Sequence, residues 1–149
     1  MYNDTVTLFN RYRANGTDTW YPTVLTNVDL NVDVSAIRKA YGADSKDRAK
    51  LHVFDINGTV GGKTYYLPKD WSGSGITFHD GELFDFFWAG TWTGRTERIN
   101  GVDVLVWNVN DEDYTNGFYD YMRKTYDMVF AITSVARYSV IPHFEIMGA

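Results

Sequence analysis

The clearest hydropathy signal in the chain is a strict alternation. Val28, Leu30, Val32 and Val34 are interleaved with Asn27, Asp29, Asn31 and Asp33, the period of two that marks a strand with one face on a core and the other in water. Earlier, Val6 and Leu8 alternate with Thr5, Thr7 and Phe9; the run stops at Asn15-Gly16, and Thr19-Trp20-Tyr21 resumes the same β-rich composition. Two such runs around Asn-Gly predict a hairpin. Pro22 has no amide hydrogen, so an edge or a bend is expected there.

Residues 35–41 read as a short helix, capped by Ser35 and ended by Gly42. A charged loop follows over 43–50. Leu51, Val53 and Ile56 predict another strand closed by Asn57-Gly58 and Gly61-Gly62, with a partner over 64–67 stopped by Pro68. Residues 76–78 and 83–88 are apolar and aromatic, separated by Asp80-Gly81. The stretch 90–101 reads as an exposed loop or hairpin tip, and 102–109 as a partly alternating strand.

The period then changes. Tyr114, Phe118, Tyr121 and Met122 fall at i, i+4, i+7 and i+8, one apolar stripe of a helix over 111–126. Asp111, Glu112 and Asp113 near its start and Arg123 and Lys124 near its end suit the helix dipole. Gly117 inside that helix would cost about 1 kcal/mol relative to Ala, so the stripe has to dock on a sheet. Residues 129–135 and 139–147 close the chain as two strands joined at 136–138. The fold expected is one domain over 1–149. It is mainly β, a mostly antiparallel barrel or sandwich, with one amphipathic helix near 111–126 and a short helix near 35–41.

Composition adds one unusual feature. Aromatic residues make up 17% of the 149 positions, with five Trp, eleven Tyr and nine Phe, a load that suits pleated half-buried faces and protein interfaces. Cysteine is absent, which removes disulfides, thiolate metal sites and a cysteine nucleophile together. A net charge of −5 argues against general nucleic-acid binding, which needs a basic face. No apolar run reaches membrane-spanning length, no basic-then-apolar leader opens the chain, and no membrane partner is expected.

Candidate chemistry is thin. The three histidines, His52, His79 and His143, include no i, i+4 pair, whereas metal sites need clustered ligands. His79 with Asp80, Glu82 and Asp85 is the best imidazole–carboxylate cluster, set against the favoured reading of a polar turn with solvated carboxylates. His52 falls on the polar phase of its strand, and His143 reads as an edge or interface residue. No G-x-S-x-G is present, and the glycines at 58–62 lack the Lys-Ser/Thr of a phosphate loop. Trp71, Trp88, Trp92 and Trp107 could form a sugar-stacking platform, though packing on the helix or on a neighbouring subunit is favoured. A structural and assembly protein is therefore expected first, a carbohydrate-binding β domain second and a small hydrolase third, with no catalytic, metal or cofactor residue assigned.

The order of segments carries a resemblance. Asp4-Thr5-Val6-Thr7-Leu8, a turn, then Thr19-Trp20-Tyr21-Pro22-Thr23-Val24 leading into a long alternating strand resembles the head-closure, or head-to-tail stopper, proteins of tailed phages. Phe130-Ala131-Ile132-Thr133-Ser134-Val135 and the closing strand over 140–146 look like that family's ending. The tail Ile141-Pro142-His143-Phe144-Glu145-Ile146-Met147-Gly148 is similar to small proteins encoded among head and tail genes of Gram-positive phages and prophages.

The resemblance implies a virion protein of the phage neck, assembled in the bacterial cytoplasm, with no enzymatic activity and no cofactor. It would form a six- or twelve-fold homo-oligomeric ring between the portal or an adaptor ring above and a tail-terminator or tail protein below. Genomic double-stranded DNA would pass through it. A tail-terminator or other connector ring is the neighbouring reading. On this view the charged loop supplies channel or gate residues Asp44, Ser45, Lys46, Asp47 and Arg48, and Trp20, Tyr21, Trp71, Trp92, His143 and Phe144 are interface candidates.

Overall fold

A computed structural model describes residues 2–33 and 48–149. The expected helix near 35–41, Val34 of the alternating run, and the gate candidates Asp44, Ser45, Lys46 and Asp47 lie outside the described residues. Arg48 is described and lies immediately before the strand that starts at Ala49. Its amide donates to the Gly148 carbonyl (2.7 Å) and its carbonyl accepts from the Asp33 amide (2.8 Å), so it anchors the start of the next strand.

That architecture is a closed antiparallel barrel of six strands. β1 (Asp4–Ala14) and β2 (Thr17–Val32) form the first hairpin, and β3 is Ala49–Phe54. β4 (Thr59–Val60) and β5 (Lys63–Thr64) make a small separate ribbon, followed by β6 (Phe86–Trp88). β7 (Arg95–Ile99) and β8 (Val102–Val106) form a second isolated hairpin, and β9 is Val109–Asn110. The helix α1 (Phe118–Thr125) precedes β10 (Val129–Tyr138) and β11 (His143–Gly148). The pairing runs β1-β6-β10-β11-β3-β2 and returns to β1, with β9 added to β2. Closure leaves the six barrel strands without a continuous open edge, which is how a small all-β chain avoids edge-to-edge aggregation.

Two long strands make the closure possible. β2 pairs with β1 over Thr17–Val28 and with β3 over Asp29–Val32; β10 pairs with β6 at Val129–Ala131 and with β11 from Ile132 to Tyr138. Each bends where it changes partner. The β1–β2 register shifts between Asp4 and Thr5, Asn27 takes φ +55°, and the β10–β11 register shifts between Ile132 and Ser134, irregularities of the kind that add local twist. The expected pause between Tyr21 and Val28 is thus a bend within one strand. Pro22 lies inside β2 opposite Phe9, between the segments paired to β9 and to β3, where its missing amide breaks no second ladder.

The expected Asn-Gly turns hold. Asn15-Gly16 and Asn57-Gly58 both take paired positive φ values (54°/76° and 52°/80°), the conformation of a two-residue hairpin turn. Asn100-Gly101, which the sequence reading did not single out, takes the same conformation (51°/79°), and it makes the stretch 90–101, read as a loop or hairpin tip, the strand β7 and the turn of its hairpin. The final turn sits later than expected, at 139–142, and β10 runs on through Tyr138.

Packing forms two layers. Inside the barrel, Val6, Leu8, Leu25, Leu51, Phe87, Phe130, Phe144 and Ile146 belong to one buried cluster. Outside it, Phe9, Trp20, Phe86, Val109 and Val129 form a second cluster closed by Phe118 and Met122 of α1. β1 is therefore buried on both faces from Val6 to Asn10, which explains why Phe9 broke the alternation.

The helix is shorter than its apolar period suggested. Residues 111–113 form a 3-10 turn, and α1 begins only at Phe118. Gly117 stands just before it at φ +89°, ψ +159°, a region essentially restricted to glycine, so it breaks the chain at that point instead of weakening a helix interior. Asp111 supplies the cap, since its Oδ1 accepts from the Phe118 amide (2.8 Å) and from Trp20 Nε1 (2.9 Å). Of the predicted stripe, Phe118 and Met122 are buried and Tyr121 is exposed.

Candidate functional site

One polar node is buried where β1 and β6 part. The β1–β6 ladder ends at Phe9↔Phe86, and the next side chain, Asp85, continues it by hand. Its Oδ1 accepts from the Arg11 amide (2.7 Å), and its Oδ2 from the His79 amide (2.7 Å) and Asn10 Nδ2 (2.7 Å). His79 Nδ1 lies 2.9 Å from Oδ1. Asn10 Nδ2 also reaches the Thr77 carbonyl (2.7 Å). Asp85 is wholly buried, a setting in which a carboxylate persists only if its oxygens are filled with donors.

The electrostatics follow from that burial. Desolvation pushes the Asp85 carboxyl above its ordinary value, partly opposed by His79 and by the amides it accepts from. Burial pulls the His79 imidazolium down, but the hydrogen bond and charge of Asp85, with a bond to the Pro68 carbonyl, outweigh it and hold the ring above its ordinary value. The Nδ1 side of the ring is committed to Asp85, 2.9 Å from Oδ1 and 3.0 Å from Oδ2. Through Asp85 the node ties Asn10 and Arg11 of β1 to the 77–79 segment. The expected solvated turn holds for Asp80 and Glu82, which are exposed, and fails for Asp85.

The interface candidates separate by burial. Trp20 and Phe144 are wholly buried, Trp20 in the outer layer and Phe144 inside the barrel. Trp71 is also buried, edge-on to Tyr12, Tyr21 and His79 at 5.8, 5.8 and 5.5 Å. Trp20 and Phe144 serve the chain's own core because strand periodicity puts them on covered faces, and Trp71, which lies outside the strands, is buried by the rings around it. Tyr21, Trp92 and His143 are half-buried. His143 lies on the outer face of β11, near His52 on β3.

The tryptophans do not share a stacking platform. Trp92 packs edge-on to Phe9 and Phe118 and donates to the Trp107 carbonyl. Trp107 donates to the Pro22 carbonyl (2.9 Å), and Trp88 lies against Tyr126. Each ring is committed to a different neighbour.

Exposed apolar side chains stand out on two hairpins, in addition to Ile56 beside the Asn57-Gly58 turn (68% exposed). On β7–β8, Val102 is 62% and Leu105 68% exposed, with Ile99 and Val104 beside them; on the β10–β11 turn, Val140 is 95% and Ile141 70% exposed. The β7–β8 hairpin pairs with no barrel strand. It is tied down at its base by Arg95, which hydrogen-bonds Glu97, Asp113 and Tyr114. Large apolar residues on projecting loops are unfavourable in water and mark contact surfaces. Only the second hairpin is legible in the sequence, as Val140-Ile141 in a turn without charges, whereas the first is masked by the Arg98–Asp103 pair beside Ile99 and Val102.

Among the described residues, no helix is long and apolar enough to cross a membrane. The whole chain, residues 1–149, matches one family model, and the protein belongs to that family, described as a family of unknown function (DUF6751). No curated protein and no solved structure matches it.

Proposed function

We propose that the protein is a structural subunit of a tailed-phage neck, a connector barrel that works by assembly and not by catalysis. The observation that carries the reading is the contrast between a closed, fully packed barrel and its two apolar hairpin tips. Among the described residues nothing covers Val102, Leu105, Val140 and Ile141, and loops projecting from a barrel are suited to reach neighbours. The barrel interior is filled by Phe87, Phe130 and Phe144, so a passage for DNA would lie at the centre of a ring of copies. The segment order at both chain ends supports the same reading. A tail-terminator or another connector ring shares all of these features. The carbohydrate-binding reading loses its basis with the divided tryptophans.

The test joins assembly with location. Light scattering and negative-stain microscopy of the concentrated chain should show a closed ring, and Leu105→Asp and Val140→Asp should release monomers with unchanged far-UV dichroism. Mass spectrometry of purified phage particles should find the chain in the virion. A monomer indifferent to both substitutions, and missing from particles, would overturn the proposal.

A further inference from the structure

The outer face of β2, β3 and β11 carries a row of ionisable side chains that neither the core nor the proposed assembly uses. Antiparallel register sets Asp29, His52 and Glu145 directly across from one another. His143 lies two residues before Glu145 on the same face of β11. One ligand atom from each of His52, His143 and Glu145 falls within 4.8 Å of the others.

The local hydrogen bonds already orient these atoms. His143 Nδ1 lies 2.6 Å from the Ile141 carbonyl, which fixes the tautomer with the proton on Nδ1 and leaves the Nε2 lone pair free. A histidine whose other nitrogen donates to a carbonyl is the usual state of a metal ligand. His52 Nε2 is 3.5 Å from Glu145 Oε2. Metal–ligand bonds of about 2.0–2.1 Å place tetrahedral ligand atoms about 3.3 Å apart, so this edge has the required length. The opposite nitrogen, His52 Nδ1, is shut from solvent without a hydrogen bond and lies 3.6 Å from Asp29 Oδ2. A small ring rotation completes the carboxylate–histidine contact that orients metal-bound imidazoles. Lys50 Nζ, 3.3 Å from Glu145 Oε1, occupies the far oxygen and turns the near one toward His52.

The surroundings suit an ion. Tyr138 stacks on His143 at 4.8 Å, and Tyr2 stacks on Phe54 at 4.4 Å and lies 6.2 Å from His52. These rings flank the two histidines on either side of the row. Asp29 and Glu145 against Lys50 leave one net negative charge when the histidines are neutral, which favours a divalent cation.

We infer that His52 Nε2, His143 Nε2 and Glu145 Oε2 form a binding site for a divalent transition-metal ion of the zinc class, with Asp29 orienting His52. Two imidazoles and one carboxylate select zinc-like ions over magnesium or calcium, which take oxygen ligands. Three protein ligands leave a fourth position for water. The site ties β3 to β11 across the barrel wall, and it stands independently of the neck assignment.

The experiment uses the full-length, untagged protein stripped with a chelator. Zinc should bind at one equivalent with a micromolar or tighter Kd and raise the melting temperature, and cobalt should give visible absorption bands of a four- or five-coordinate site. His143→Ala and the near-isosteric Glu145→Gln should each weaken zinc at least about tenfold, and Asp29→Asn should weaken it with the cobalt bands retained. The near-UV dichroism of each metal-free variant reports that the barrel is intact. Zinc affinity unchanged in His143→Ala, Kd weaker than about 1 mM, or equal stabilisation by magnesium would each overturn the assignment.

Discussion

Asp85→Ala tests whether the buried node holds the barrel closed. The substitution removes the acceptor for the amides of Arg11 and His79, for Asn10 Nδ2 and for His79 Nδ1. The two side chains can turn toward other partners. The two amides cannot, because β1 and the 76–79 segment are fixed by their neighbours. A buried donor left without an acceptor costs about 1–3 kcal/mol, so the two together cost about 2–6 kcal/mol. Removing the carboxylate also relieves its own desolvation, which draws the expected value toward the lower half of that range. Against a domain stability of about 5–15 kcal/mol, even the lower half is a large loss. Asp85→Asn keeps the shape and one acceptor oxygen but turns its amide donors toward an N–H, and should fall between wild type and Asp85→Ala. Urea unfolding followed by tryptophan fluorescence measures both, and Trp71, 5.5 Å from the His79 ring, reports locally. Asp85→Ala within about 1 kcal/mol of wild type would refute the view that the node is a structural pin.

The same pair predicts a pH dependence. His79 is raised above its ordinary value of 6.5, so its contribution is fully present below that value and is lost as pH rises through the higher folded value. Asp85, also raised, has the same sign at lower pH. Unfolding free energy should therefore decline from pH 6 upward in the wild type, and that decline should be lost or reversed in Asp85→Ala, where burial acts on His79 without the carboxylate that opposes it, as pH-resolved urea melts will show. Gly117→Ala should destabilise by about 1–3 kcal/mol, because its φ of +89° is strained for any side chain and the new methyl would meet Asp111 Oδ1 at 3.2 Å. Phe118→Ala should cost about 3–5 kcal/mol, since that ring closes the outer layer over Phe9, Trp20 and Phe86; thermal melts report both.

Local rules made much of the fold readable. The Val28–Val32 alternation and the Asn-Gly turns at 15–16 and 57–58 each rest on a short stretch of chain, and each appears where it was expected. The errors have one cause. Tyr114 and Tyr121 share the helical period of Phe118 and Met122, but glycine at 117 and the Asp111 cap set where helix can begin, and periodicity is blind to both. Likewise β10 outran its predicted end because Ala136, Arg137 and Tyr138 gain partners on β11. Pairing overrode a sequence that reads as a turn.

Sites were less legible than strands, for a reason the histidines make plain. Alternation correctly put His52 on the polar phase of β3, but it says only which way a side chain faces. Which outward side chains meet is decided by register, and a one-residue slip of β11 against β3 would carry Glu145 to the opposite face. His52 and Glu145 come together only because His143↔Phe54 and Gly148↔Ala49 fix that register at both ends of the pair. Asp85 was hidden differently. Its neighbours Asp80 and Glu82 are solvated, and nothing in a run of acidic residues shows that one of them ends a ladder inside the barrel. Spacing along the chain singles out only His79 with Asp80, Glu82 and Asp85. The groups that could bind an ion are gathered across the sheet, by strand pairing.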